Sequence, residues 1–189
     1  MRFLLLLFLA CLVVGCQTVP DDAHQTALLH RELCALQARS TGRDSVSPEV
    51  DREAAVLAAT AVREAREISR QFRVMGPAWF HNCLVNTGVR ERGLCWHYMT
   101  EMYLRLAPLE PRYFEIHCGV RDSGRLFLEH HCVALTARGQ PYPTGLVLDP
   151  WVKGGNLVFF PVTGPGSPWI EDPDFRASLQ SAHLRRRQR

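Results

Sequence analysis

Two prolines, Pro108 and Pro111, divide this chain into halves of different character. Proline has no amide donor and clashes with the preceding helical turn, so Ala107-Pro108 and Glu110-Pro111 end helical structure. Upstream, apolar residues recur at three- and four-residue spacing. Downstream, they fall into short runs of strand type bounded by turn residues. Helices first and antiparallel strands after predict an α+β protein rather than a βαβ series. The chain contains no internal repeat, low-complexity tract or phosphate-cradling glycine loop.

The helical half begins at Asp22. Ala27, Leu28, Leu29, Leu33, Cys34, Leu36, Ala35 and Ala38 give a helix to about Arg39, broken by Thr41-Gly42-Arg43-Asp44. Ser47-Pro48-Glu49 is a helix start, with a serine cap, a proline at the first helical position and an acid in the first turn. That helix is predicted to run to about Val74, where Gly76-Pro77 stops it. Its alanines (Ala54, Ala55, Ala58, Ala59, Ala61, Ala65) permit close packing against a neighbour. Arg52, Glu53, Arg63, Glu64, Arg66 and Glu67 supply a solvated face. Residues 22–74 therefore read as a helical hairpin that supports the core or spaces it from a membrane. A coiled-coil interface is disfavoured because the heptad is not sustained. Pro77 to Asn86 reads as a short apolar helix stopped at Asn86-Thr87-Gly88.

In the second half, Tyr113 to Val120 reads as a strand, Arg121-Asp122-Ser123-Gly124 as a turn and Leu126 to Ala137 as a long strand. Gly139-Gln140-Pro141 ends it. Leu146-Val147-Leu148 leads to Asp149, Leu157 to Val162 is a further short strand, and Gly164 to Pro168 is loop. The basic tail, His183-Leu184-Arg185-Arg186-Arg187-Gln188-Arg189, reads as a frayed, solvated terminus, with contact to an anionic surface as the lesser alternative.

Chemistry concentrates in three stretches: Gly93-Leu94-Cys95-Trp96-His97-Tyr98-Met99, Glu129-His130-His131-Cys132-Val133 and Val147-Leu148-Asp149-Pro150-Trp151. Met99, Met102, Tyr103 and Leu106 continue Cys95 at helical spacing, which puts this cysteine in a first helical turn. Backbone N–H groups and the macrodipole there favour a thiolate. A cysteine nucleophile needs a base, and the base needs an orienting acid. Taken singly, each residue has a plain structural explanation: a buried small hydrophobe for the cysteine, a turn residue for an aspartate before proline. Together, Cys95, His130 and Asp149 form a candidate catalytic set.

The paired histidines pose a choice. Adjacent strand residues face opposite sides. His130 shares a face with Leu128, Cys132 and Ala134, and His131 with Phe127, Val133 and Leu135. A nucleophile-bearing helix is expected to approach the face with small residues, which favours His130. His97 is a rival, and otherwise a surface helix residue.

Cysteine at a helix start, histidine on a strand and aspartate before proline on the next strand resemble the transglutaminase-like branch of the papain-like cysteine enzymes. The chain looks closer still to a family of uncharacterised bacterial lipoproteins with that core. The matching stretches are Asn86-Thr87-Gly88 with Arg92-Gly93-Leu94-Cys95, Glu129-His130, Thr136 to Pro141, and Gly145 to Trp151, within about residues 75–165. The resemblance implies a papain-like/transglutaminase-like core over residues 75–175, with the nucleophile helix packed on an antiparallel sheet. It implies amide chemistry through a thioester, by hydrolysis or transfer, on a peptide or protein amide. It also implies an upstream amide near the oxyanion, for which Asn82 and Asn86 are candidates; a helix-capping Asn86 is as good a reading. The doubled histidine departs from the family's single one. The alternative function is a non-catalytic envelope binding or assembly lipoprotein on the same fold.

The N-terminus supplies a location. Arg2, the apolar run Phe3 to Val14 and a small residue before the cut describe a signal peptide over residues 1–15, too short to span a bilayer. Val13-Val14-Gly15-Cys16 resembles a bacterial lipobox, with Cys16 as lipidated mature N-terminus and residues 16–21 as tether. The bilayer, through acylated Cys16, is then a partner. Gln17 in place of aspartate favours outer-membrane sorting by resemblance to Gram-negative lipoproteins, facing the periplasm.

Cleavage leaves 189 − 15 = 174 residues, enough for one well-buried domain. Removing Arg2 takes the formal charge from +3 to +2, too little to argue for a nucleic-acid partner. With Cys11 cleaved off and Cys16 lipidated, five cysteines remain (Cys34, Cys83, Cys95, Cys118, Cys132). An odd count in an oxidising compartment fits one reactive thiol plus possible disulfides, or five buried thiols. No CxxC pair or regular Cys/His spacing suggests structural zinc, and the sequence calls for no cofactor.

Overall fold

The computed structural model describes residues 21–125, 128–164 and 168–187. The lipobox, Cys16 and the signal peptide lie outside them, as do Leu126 and Phe127. Four helices come first: α1 (Asp22–Thr41), α2 (Pro48–Gln71), α3 (Ala78–Asn86) and α4 (Cys95–Leu106). Strands β1 (Phe114–Arg121), β2 (His130–Ala137), β3 (Leu146–Asp149), β4 (Val158–Pro161) and β5 (Ile170–Glu171) follow, and α5 (Pro173–Arg187) closes the described chain. The strands form one antiparallel sheet in the order β4-β3-β2-β1-β5. The expected α+β class is what the chain adopts.

Local chemistry accounts for most helix ends. Asp21 caps α1 by accepting from the Ala23 N–H at 2.9 Å, and Gly42 ends it in the left-handed region at φ 64°. Ser47 caps α2 through the Val50 N–H at 3.4 Å, with Pro48 at the first helical position. The second helix stops at Gln71, three residues before the expected Val74. Arg73 turns left-handed (φ 51°), and the Val74 N–H returns to the Ser69 carbonyl at 3.1 Å.

The hairpin is part of the core, not a spacer beside it. Leu29 and Leu33 of α1, Leu57, Ala61 and Ile68 of α2, Tyr98, Met99, Met102 and Leu106 of α4, and Val133, Leu135 and Leu148 of the sheet belong to one buried cluster. Burying a leucine-sized side chain contributes about 1.5–3 kcal/mol, so the hairpin and the candidate site share their stability. Polar side chains also hold the start of the sheet. The Glu53 carboxylate accepts from the N–H groups of Arg112 and Tyr113, both at 2.8 Å. Arg138 donates to the carbonyls of Arg112 (2.6 Å) and Pro111, and Gln37 donates to that of Tyr113. These contacts seize the Pro111–Phe114 backbone where the two prolines end the helical half.

The second sheet face carries a smaller cluster of Cys132, Ala134, Tyr142, Val147, Val162 and Trp169. Tyr142 approaches the sheet at Gly119, where a Cβ would overlap its hydroxyl.

Two expectations are corrected, and one strand is added to those expected. The long strand from Leu126 begins only at His130. The Leu128 and Glu129 N–H groups close a turn on the Arg125 carbonyl, and Glu129 Oε2 accepts from the Gly124 N–H at 2.7 Å. A short strand, β5, pairs Ile170 and Glu171 with Val120 and Gly119. Through Arg187, the basic terminus is not frayed but helical. Asp172 caps α5 through the Phe175 N–H (2.9 Å), Leu179 is buried, and Arg176 pairs with Glu115 and Glu171.

Candidate active site

The site lies where the start of α4 meets the start of β2 and the end of β3. Cys95 is the first residue of α4 and is 8% exposed. Its Sγ makes a long contact of 3.8 Å with the Glu129 carbonyl, one residue before His130. A helix leaves its first N–H groups without intrahelical acceptors, which makes the Cys95 and Trp96 amides available beside the sulfur.

Two histidines build the turn that delivers Cys95. His97 is buried, and its Nδ1 accepts from the N–H groups of Gly93 (3.2 Å) and Leu94 (3.1 Å). Burial first, and then the Arg92 charge, hold its imidazole below the usual range, so it caps as a neutral ring. It is neither a surface residue nor free to serve as the base. His81 is fully buried, with Nε2 donating to the Arg92 carbonyl at 2.9 Å and Nδ1 accepting from the Met75 N–H at 3.3 Å. The ring packs against Gly93, whose φ of 129° favours glycine and where a Cβ would overlap His81 Nε2.

His130 and Asp149 are buried together. His130 Nε2 donates to Asp149 Oδ2 at 2.6 Å, and the other carboxylate oxygen accepts from the Trp151 (3.0 Å) and Val152 (3.2 Å) N–H groups. The aspartate before proline thus does both jobs, turning the chain and orienting a ring. With the proton on Nε2, Nδ1 offers a lone pair; it is buried and has no hydrogen-bond partner. Burial disfavours a charged ring, but the Asp149 carboxylate and then Cys95 outweigh it and push the His130 imidazole up to about 9. Trp151 and Trp169 flank the ring at centroid distances of 4.6 and 5.4 Å, and Arg121 sits over Trp169 at 5.3 Å.

His131 points elsewhere. Its Nε2 pairs with Glu129 Oε1 at 2.9 Å, and its ring lies near Phe175 of α5. His130, not His131, is thus the ring that meets Asp149, but α4 does not pack on the small-residue face as expected. Tyr98, Met99, Met102 and Leu106 of α4 share a cluster with Val133 and Leu135, while Cys132 and Ala134 belong to the opposite face. Helix α4 covers the large-residue face. Its first residue reaches the His130 region at the strand's end, past the edge of that packing.

Asn86 is exposed at the end of α3, and Asn82 is half-buried with an unpartnered Oδ1. Among the described residues all five cysteines are free thiols. Burial pushes Cys118 up to about 12 and Cys132 well above its ordinary range, so both are held as neutral thiols. The flanking tryptophans and the two bracing histidines were not anticipated. Proximity of Trp151 to Asp149 was visible in the chain, whereas Trp169 carries no local signal.

Taken by class, this is an α+β protein with a buried histidine–aspartate pair beside a cysteine at a helix start. Comparisons of the chain with models of known families, with characterised proteins and with solved structures gave no match.

Proposed function

We propose that the protein is a lipid-anchored envelope enzyme with a papain-like/transglutaminase-like core, acting on amide bonds through a thioester. The observation that carries this reading is the unpartnered, buried Nδ1 of His130, on a ring fixed by Asp149 and set beside Cys95. In the proposed cycle the Cys95 proton passes to Nδ1, and the sulfur bonds to the substrate carbonyl carbon. The resulting oxyanion takes hydrogen bonds from amides at the start of α4. Collapse breaks the C–N bond, and Nδ1–H protonates the leaving amine. Water or a second amine then attacks the thioester, gives its proton to Nδ1, and the thiolate leaves and is reprotonated. Asp149 holds the ring and stabilises its cation throughout. The substrate class is a peptide or protein amide, and Cys16, as lipidated N-terminus, places the enzyme at the outer membrane facing the periplasm.

Iodoacetamide labelling tests the nucleophile. Cys83 is exposed, so the measurement belongs in a Cys83→Ser background. Cys95 is expected to label at neutral pH well ahead of Cys118 and Cys132, and Cys95→Ala to abolish that fast phase. A Cys95 that resists labelling in the folded protein while other thiols react would sink the enzyme reading. The low exposure of Cys95, 8%, is what favours the second reading, a non-catalytic binding or assembly lipoprotein on the same fold.

A further inference from the structure

Outside this site, one cluster joins three metal-ligating side chains from two helices. His30 and Cys34 lie one turn apart on α1 and face the same way, and Asp51 comes from the first turn of α2. His30 Nε2 lies 3.0 Å from Asp51 Oδ1, and Cys34 Sγ lies 3.6 Å from the same oxygen. The three donor atoms all fall within 4.8 Å of one another.

A zinc-type ion bonds nitrogen and carboxylate oxygen at about 2.0–2.2 Å and thiolate sulfur at about 2.3 Å, which sets tetrahedral ligand–ligand edges of roughly 3.3–3.7 Å. The Cys34–Asp51 separation of 3.6 Å falls within that range, the His30–Asp51 separation of 3.0 Å lies a few tenths of an ångström below it, and no pair of donor atoms is more than 4.8 Å apart, so side-chain adjustment admits the ion. We propose that His30, Cys34 and Asp51 bind a divalent cation of the zinc class between α1 and α2.

The donor set decides the class. One thiolate and one carboxylate neutralise a dication, and imidazole with thiolate selects zinc over magnesium or calcium, which require oxygen donors. Three protein ligands leave a fourth position. The cluster borders a cleft of about 490 Å³ lined by Cys34, Asp51 and the loop residues Asp44 and Ser45. Water from that cleft can fill the position.

Cys34 binds a cation as the thiolate, so binding releases the thiol proton to solvent as the S–metal bond forms, and affinity rises with pH. As a surface ion pair alone, His30–Asp51 contributes little to stability. As a metal clamp it would tie together the two helices that support the site.

The test uses the full mature chain, metal-depleted and then titrated with zinc and with cobalt(II). One equivalent of zinc per chain is expected, with a rise in melting temperature and, for cobalt, a near-ultraviolet thiolate-to-metal band. Cys34→Ser should lose the band and bind zinc more than about 100-fold more weakly. Cys95→Ala should bind as the parent does. Should Cys34→Ser fail to fold, the parent protein gives the second measurement: zinc must slow alkylation of Cys34 and leave that of Cys83 unchanged. Zinc binding undiminished in Cys34→Ser, no binding to the parent, or no protection of Cys34 would each overturn the proposal.

Discussion

His130→Ala removes the ring that Asp149 holds beside Cys95. Labelling of Cys95 at neutral pH is expected to fall by at least tenfold, and amide turnover by about 10²–10⁴-fold, the usual share of a general base. Asp149→Asn keeps the volume but loses the carboxylate that fixes the tautomer, so it should fold and still lose most activity. His131→Ala should change labelling little, because that ring pairs with Glu129. Equal losses in the His130 and His131 variants would show that the two positions are not distinguished. A pH dependence follows from the same ring. The folded His130 holds its proton to about 9, against 6.5 as its ordinary value. Its pairing therefore contributes stability in full below about 6.5 and loses that contribution as pH rises through 9. Denaturant unfolding between pH 6 and 10 should show a decline of roughly 1–3 kcal/mol. In Asp149→Asn that decline should flatten; an unchanged slope would mean that another group titrates.

The loop into α4 is where one atom matters most at the scale of an element. Gly93 has a backbone conformation that L residues rarely adopt, and His81 fills the space beside it. Gly93→Ala adds both strain and overlap with a fully buried ring, and should cost on the order of 2–4 kcal/mol. Since the same glycine N–H donates to His97, the variant should also slow Cys95 labelling in whatever fraction remains folded. Urea denaturation followed by labelling at matched folded fraction separates the two effects. A stable Gly93→Ala with parental labelling would show that the loop is not under this constraint.

At the scale of the whole molecule, no helix among the described residues is long and apolar enough to cross a membrane. On the proposed reading, a lipidated Cys16 supplies membrane association. Residues 17–21 then separate it from α1, and at about 3.3–3.6 Å per residue they span no more than roughly 20 Å, which would hold the start of the hairpin near the bilayer. Cys16→Ser should leave an unlipidated precursor and move the protein out of the membrane fraction. Membrane association that survives this change would count against the lipobox.

The elements that the sequence determined alone are those with local causes. Ser47-Pro48, Gly42, Pro108 and Pro111 act within a turn of where they stand, so α1, α2 and α4 and the order of helices before strands were legible. Cys95 at a helix start and Asp149 at a strand end were legible for the same reason. Strand parity told which residues accompany His130, but not which face of the sheet α4 would cover, because that depends on volumes contributed by α1 and α2 as well. The late start of β2 depends on Glu129 folding back onto Gly124, and α5 on an Asp172 cap whose helix is held to the sheet by Arg176. The neighbourhood of His30, Cys34 and Asp51 likewise exists only because two helices pack. The first helix alone shows a histidine and a cysteine one turn apart, the second shows acids with no histidine or cysteine among them, and neither pattern is a ligand set until the hairpin closes.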